Sequence, residues 1–145
     1  MRIYIGADHR GFELKQTLLP WLTARDHEVV DCGNTELDGD DDYVTFSREV
    51  ARQVAEDEEA RGIVICGSGV GVTISANRAH GVRCGLALSP EQVAHARSHD
   101  HINVLALASE YMAHEMIQEC IEAFLTAQPI MSERYLHRNA MLDES

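Results

Sequence analysis

Residues 61–78, RGIVICGSGVGVTISANR, decide how the rest of the chain is read. Ile63, Val64 and Ile65 form a short, β-branched apolar run, the mark of a buried strand. Gly67, Gly69 and Gly71 follow at alternate positions, and a helix is expected from Gly71 to about Ala79. Strand, glycine loop and helix start together turn backbone N–H groups towards an anion. Cys66 closes the strand at the point where such a loop holds its ligand. An ordinary βα turn with a small buried thiol has the same outline, because free cysteine packs as a modest hydrophobe. The loop lacks the Gly-Lys-Ser/Thr ending of a P-loop. It also misses the dinucleotide pattern, whose third glycine would fall where this chain has Val72. ATP and NAD both lose support, and a small anionic ligand remains.

Outward from this stretch, strand and helix patterns alternate. Residues 2–5 read as a first strand, with Gly6-Ala7-Asp8-His9 as its loop. Phe12, Leu14, Leu18, Leu19 and Leu22 give residues 11–24 a helical spacing, which Pro20 is expected to kink. Residues 28–31 form a second strand. Residues 36–42 read as an exposed acidic loop and 46–55 as a helix with a solvated acidic end at 56–59. After the third strand, residues 82–88 form a fourth. Ser89 and Pro90 then supply an N-cap and an N1 proline for a helix to about residue 98. Residues 103–107 are a fifth strand, 111–127 a helix and 131–142 a polar helical tail.

This alternation predicts a three-layer, doubly wound (Rossmann-like) α/β fold, with a five-stranded parallel sheet and a C-terminal helical tail. Residues 1–145 are expected to form one domain. Ligands in such sheets bind at the carboxyl ends of strands. On that rule Asp8-His9, residues 66–71 and the residues before strand five are expected to surround one cleft. The tail, at about 130–142, is too polar to pack on its own sheet and is expected to reach a partner subunit.

Bulk properties narrow the partners. The 145 residues suit a single core, with roughly 68–70% of the unfolded surface buried on folding. A net charge of −12 disfavours nucleic acid and anionic membranes, and an anionic substrate needs local cations to enter against that field. Cys32, Cys66, Cys84 and Cys120 show neither a CxxC pair nor zinc-like spacing, and read as free thiols of a reducing compartment. No signal peptide or membrane span is expected, which points to the cytoplasm.

The residues with chemistry to offer are few. Asp8 beside His9 can shuttle a proton or hold a sugar hydroxyl, or simply cap the next helix. Cys66 can act as base or nucleophile as a thiolate, and Gly67 to Gly71 supply N–H dipoles for a developing enolate oxygen, with the Ser68 hydroxyl beside them. His99 and His101 flank Asp100 as an HxH pair, without further metal ligands in the pattern. Arg134 and Arg138, four apart, share a helix face that can clamp a phosphate or form surface salt bridges.

Taken together, IGADHRGFELK (5–15), DCG (31–33), DDYVTF (41–46), ICGSGVGVTISANR (64–78), GVRCGLA (81–87), ARSHDHINVLAL (96–107) and the Arg134/Arg138 pair resemble the type B ribose-5-phosphate isomerases and the related galactose-6-phosphate isomerase subunits. The resemblance covers nearly the whole chain. It implies a doubly wound subunit assembling as a homodimer or homotetramer with shared active sites, no cofactor and no metal. It implies interconversion of an aldose phosphate and a ketose phosphate, by default ribose 5-phosphate and ribulose 5-phosphate, through an enediolate.

Carried over, Cys66 is the base that moves the proton between C1 and C2. Gly67, Ser68, Gly69, Val70 and Gly71 hold the enediolate oxygens. His99 opens the furanose ring with help from Asp8. His9, Arg134 and Arg138 bind phosphate, the arginines from the partner subunit, and Tyr43 lines the sugar pocket. Relatives without the cysteine use a glutamate just after the glycine loop; Val72 occupies that place here, so the chain resembles the cysteine type. Asp100 stands where the family usually has Asn, Glu110 where it usually has Arg, and Tyr135 where many members have His. The added carboxylates lie where family members touch substrate. They leave room for another tetrose, pentose or hexose, phosphorylated or not, or for a non-catalytic sugar-phosphate-binding subunit.

Overall fold

The protein's structure is a computed structural model that describes residues 1–144. Strands β1 (Arg2–Ala7), β2 (Glu28–Asp31), β3 (Arg61–Cys66), β4 (Cys84–Leu86) and β5 (Val104–Ala108) form one sheet in the order β2-β1-β3-β5-β4. Every neighbouring pair is parallel. The helices are α1 (Phe12–Thr23), α2 (Tyr43–Glu56), α3 (Val70–Ala76), α4 (Pro90–His99), α5 (His114–Thr126) and α6 (Glu133–Asp143). The expected α/β architecture is the observed one.

Residue alternation along the strands builds two cores. Ile3, Ile5, Ile63, Ile65, Leu105 and Leu107 face Leu18 and Leu22 of α1, Val93 of α4, and Ile117, Ile121 and Phe124 of α5. Tyr4, Val64, Cys66, Val104 and Ala106 face Val50, Ala51 and Val54 of α2 and Val72 and Ala76 of α3. Side chains along a strand alternate between faces, so β-branched and aliphatic runs that look uniform in sequence feed both layers.

Helix α1 runs through Pro20 to Thr23, its interior proline lacking the one N–H that would bond back along the helix. The Ala24 N–H still reaches the Pro20 carbonyl at 2.9 Å. Strand β4 is shorter than its apolar run. Its first residue is clamped by the Asn77 side chain, which accepts from Cys84 N–H at 2.8 Å and donates to the Cys84 carbonyl at 2.9 Å. The polar tail does pack on its own chain, through polar contacts. Buried Asn139 donates to the His99 carbonyl at 3.3 Å, and Asp143 accepts from Arg83 at 2.7 and 2.8 Å.

Candidate active site

At the carboxyl edge of the sheet a cleft of about 650 Å³ opens between the loops after β1, β3 and β5 and the start of α2. Asp8, His9, Tyr43, Cys66, Gly67, Ser68, Val70 and Gly71 line it, and Arg10, Asp41 and Glu110 line it beside them. Cys66 is 5% exposed, at the end of β3. Its Sγ accepts the Gly69 N–H at 3.2 Å, which turns the sulfur towards the loop. Gly69 has φ 73°, and a Cβ there would stand 2.5 Å from Leu86 Cδ1, so both backbone and space demand glycine. The left-handed turn lets the chain double back from β3 into α3 with its amides lining the cleft. The Tyr43 ring packs on Gly71, where a Cβ would stand 2.8 Å from Cε2 and Cζ.

Asp8 is buried, and its Oδ1 accepts the N–H groups of Arg10 at 3.0 Å and Gly11 at 3.1 Å. Burial raises its carboxyl above the ordinary range, against the pull of those two N–H groups. Asp8 therefore lines the cleft and braces the turn before α1, while the helix itself, with Gly11 at its N-cap, has no side-chain cap.

His9 is held by a network that begins in the core. Fully buried Lys15 reaches Asp31 at 2.8 Å and the Asn34 carbonyl at 2.6 Å. Asn34 Nδ2 donates to Asp41 Oδ2 at 3.0 Å, and Asp41 Oδ1 faces both the N–H and Nδ1 of His9, at 2.9 and 2.8 Å. The Asp41 hydrogen bond raises the His9 imidazole above its ordinary value. Asp41 belongs to the acidic run that reads as a solvated loop, yet its side chain is only 7% exposed. Composition hid it; its place in DDYVTF, two residues before Tyr43, was the only signal.

His99, Asp100, Arg134 and Arg138 lie elsewhere. Carboxyl edges gather the loops that follow strands, whereas His99 precedes β5 and so sits at the opposite, amino edge. The expectation that one chain groups it with Cys66 is corrected by the register: Gly62 pairs with Val104 and Cys66 with Ala108. That span alone is roughly 13 Å at about 3.3 Å per residue, and His99 lies beyond it.

At this edge the His99 ring stacks on His95 (centroids 3.8 Å apart) and meets the edge of Tyr135 at 4.9 Å. Its Nδ1 is 3.0 Å from the His95 carbonyl. His101, at φ 50°, turns instead to the Ile130 carbonyl at 3.0 Å, so the two imidazoles of the HxH pair serve different partners. Asp100 caps α4 and is exposed, as are Arg134 and Arg138 on α6.

Each chain therefore carries two sets of polar residues at opposite sheet edges. The first, a thiol with glycine-loop amides, a raised carboxyl and a raised imidazole, is fitted to moving a proton next to a developing oxyanion. The second offers an imidazole and two solvated guanidinium groups.

The sequence model of the ribose/galactose isomerase family matches residues 3–142. The chain belongs to the ribose/galactose isomerase family. Within this isomerase family it is 37% identical over 144 residues to ribose-5-phosphate isomerase B of Mycobacterium tuberculosis, covering 99% of this chain and 89% of the relative. It is 37% identical over 127 residues to ribose-5-phosphate isomerase B of Escherichia coli, covering 88% and 85%. The crystal structure of ribose-5-phosphate isomerase B from Mycoplasma genitalium with bound ribulose-5-phosphate superposes with a TM-score of 0.93 at 35% identity, covering 99% of this chain and 94% of that one. No helix among the described residues is long and apolar enough to cross a membrane.

Proposed function

We propose that this protein is an aldose–ketose isomerase that interconverts ribose 5-phosphate and ribulose 5-phosphate through an enediolate. Membership of the isomerase family and the ribulose-5-phosphate held by its Mycoplasma genitalium relative support the reaction and the substrate. The observation that carries the mechanism is the Cys66 sulfur, turned towards the glycine loop by Gly69 N–H where both line the cleft.

In this reading Cys66, as the thiolate, takes the C2 proton of the open-chain aldose. The electron pair moves into the C1–C2 bond, and the carbonyl oxygen on C1 takes up negative charge. The amides from Gly67 to Gly71 and the Ser68 hydroxyl bind the two enediolate oxygens, between which the hydroxyl proton passes from O2 to O1. Cys66 then returns its proton to C1, leaving the carbonyl at C2. His9 faces the phosphate, Asp8 holds a sugar hydroxyl and Tyr43 walls the pocket.

The amino-edge residues enter through assembly. In a homodimer, the partner subunit's His99 opens the furanose ring, and the partner subunit's Arg134 and Arg138 close on the phosphate from α6. Cys32, Cys66, Cys84 and Cys120 are free thiols, in keeping with a cytoplasmic protein. The test is Cys66→Ala, expected to lower kcat by about 10²–10⁴-fold, the usual range for a lost acid–base group. Undiminished turnover would remove the mechanism.

A second reading keeps the chemistry and changes the sugar. It is favoured by Glu110, a carboxylate that faces into the cleft. A panel of tetrose, pentose and hexose phosphates and free sugars decides between the two, and a clear preference for ribose 5-phosphate removes this one.

A further inference from the structure

We propose that Arg10 is the cleft's own ligand for the substrate phosphate, and that Glu110 is the counter-ion which the phosphate must displace to reach it. This rests on the sugar-phosphate reading above and names which residues set the affinity for the phosphorylated end. Arg10 Nη1 lies 3.4 and 3.3 Å from the two carboxylate oxygens of Glu110, a pair joining residues a hundred positions apart. The two side chains meet over Gly67, the first residue of the glycine loop. A Cβ on Gly67 would stand 2.9 Å from Arg10 Cδ and 3.0 Å from Glu110 Cδ and Oε2.

The stems of both residues are fixed while their ends are free to move. Arg10 N–H donates to Asp8 Oδ1 at 3.0 Å, and the Arg10 carbonyl accepts from the Ser109 hydroxyl at 2.8 Å. Glu110 N–H donates to the Gly67 carbonyl at 3.0 Å. The two side chains are 58% and 47% exposed, and an ion pair in that setting is held weakly. A phosphate dianion offers the same guanidinium a bidentate, doubly charged partner, which is the stronger match.

Charge makes the exchange matter. Asp8, Asp41, Asp42 and Glu110 line the cleft, and among the described residues Arg10 is its only lysine or arginine and His9 the one other basic group. While Glu110 holds Arg10, an approaching phosphate meets an acidic mouth on a chain of net charge −12. Release of Arg10 turns the same spot cationic. The pair thus favours ligands whose phosphate reaches Gly67 and withholds Arg10 from anions too weak to compete.

The experiment measures the KM for ribose 5-phosphate, together with calorimetric binding of inorganic phosphate, on the intact wild-type protein and its variants. Glu110→Gln keeps the shape and removes the competitor. Both constants are expected to fall about fivefold, the factor an exposed pair can withhold. With Arg10→Gln both are expected to rise about tenfold, as one charge-assisted phosphate contact is lost. Arg10→Glu should abolish phosphate binding, and the swapped double variant R10E/E110R, which moves the cation across Gly67, should recover it. Phosphate affinity indifferent to Glu110→Gln and Arg10→Gln overturns the assignment, as does an R10E/E110R protein no better than R10E. Phosphate binding does not depend on turnover. If the wild type binds phosphate through Arg10 yet does not isomerise ribose 5-phosphate, the isomerase reading fails and the Arg10 assignment stands. Turnover with phosphate affinity blind to both residues gives the reverse.

Discussion

The carboxyl-edge cleft and the amino-edge cluster are built by opposite means. Around Cys66 the geometry is backbone geometry: a left-handed Gly69, an amide on the sulfur and side chains packed on Gly67 and Gly71. Buried Asp8 braces its own loop through Oδ1 there, and Asp41, its side chain 7% exposed, holds His9 and Asn34. Around His99 the geometry belongs to side chains, with one imidazole stacked on another, a tyrosine edge and two solvated arginines on a helix held by Asn139 and Asp143. A region fixed by its backbone can position an intermediate to a fraction of an ångström. A region of solvated side chains is suited to closing on a ligand that another surface already holds. The two are complementary in chemistry and separated by the length of the sheet, and in the proposed homodimer a second copy of the chain brings them together.

The largest expected effect tests that division. Cys66→Ser and His99→Asn, each made alone, should lower kcat by about 10²–10⁴-fold. Mixed and allowed to exchange subunits, the two dead proteins should regain roughly a quarter of the wild-type rate, since half the dimers are mixed and each mixed dimer has one intact site in two. A mixture that stays dead would mean the two regions never serve one substrate.

The next effect falls on stability and marks the backbone-built region. Gly69→Ala forces a side chain into φ 73° and against Leu86 Cδ1. It should cost about 1–3 kcal/mol, read as a lower urea midpoint with an unchanged slope. The loop should move as well, so turnover falls with it. At the other edge, Arg138→Ala touches a solvated group and should leave the urea midpoint within about 0.5 kcal/mol of wild type. Comparable losses at both positions would erase the distinction.

The same contrast explains what could be read in the sequence. Strands β1, β3 and β5 were legible because Ile3 to Ile5, Ile63 to Ile65 and Val104 to Leu107 leave no polar face, as a sheet covered on both sides requires. The glycine loop was legible because glycine at 67, 69 and 71 directly after an apolar strand marks a tight βα turn, and Cys66 beside it marked the turn as a candidate site. The placing of His99 failed because the strand-edge rule governs loops after a strand, and residues 99–103 come before one. Asp41 was hidden by its neighbours: in a run of acids nothing marks the one that folds inward to a histidine. Arg10 was hidden within a recognisable motif, since its partner Glu110 is distant in the chain and only the fold makes them meet. The starts of α2 and α5 shifted for a local reason: Tyr43 begins α2 against Gly71, and residues 109–111 turn over Cys66 and Gly67 before α5 starts.

The smallest expected effect concerns how the buried network under the cleft reaches its surface. Asp41 holds His9 through Oδ1, and that hydrogen bond is the first cause of the raised imidazole. A protonated His9 attracts a phosphate dianion and a neutral one does not, so wild-type KM should stay low until the pH passes the raised value and then climb. Asp41→Asn keeps an acceptor and removes the charge. His9 then titrates at lower pH, and the climb in KM should begin earlier.

Stability follows the same sign. The folded value lies above the unfolded one, so the His9–Asp41 contribution is complete below the unfolded histidine value and disappears as pH rises through the folded value. Asp41→Asn should therefore narrow the difference between the acid and alkaline unfolding midpoints, with little change at high pH. His9→Gln, which cannot titrate there, should remove the same step in the KM profile. If Asp41→Asn leaves that profile where it was, Asp41 only braces the loop and the charge on His9 is set elsewhere, by its chain neighbour Asp8.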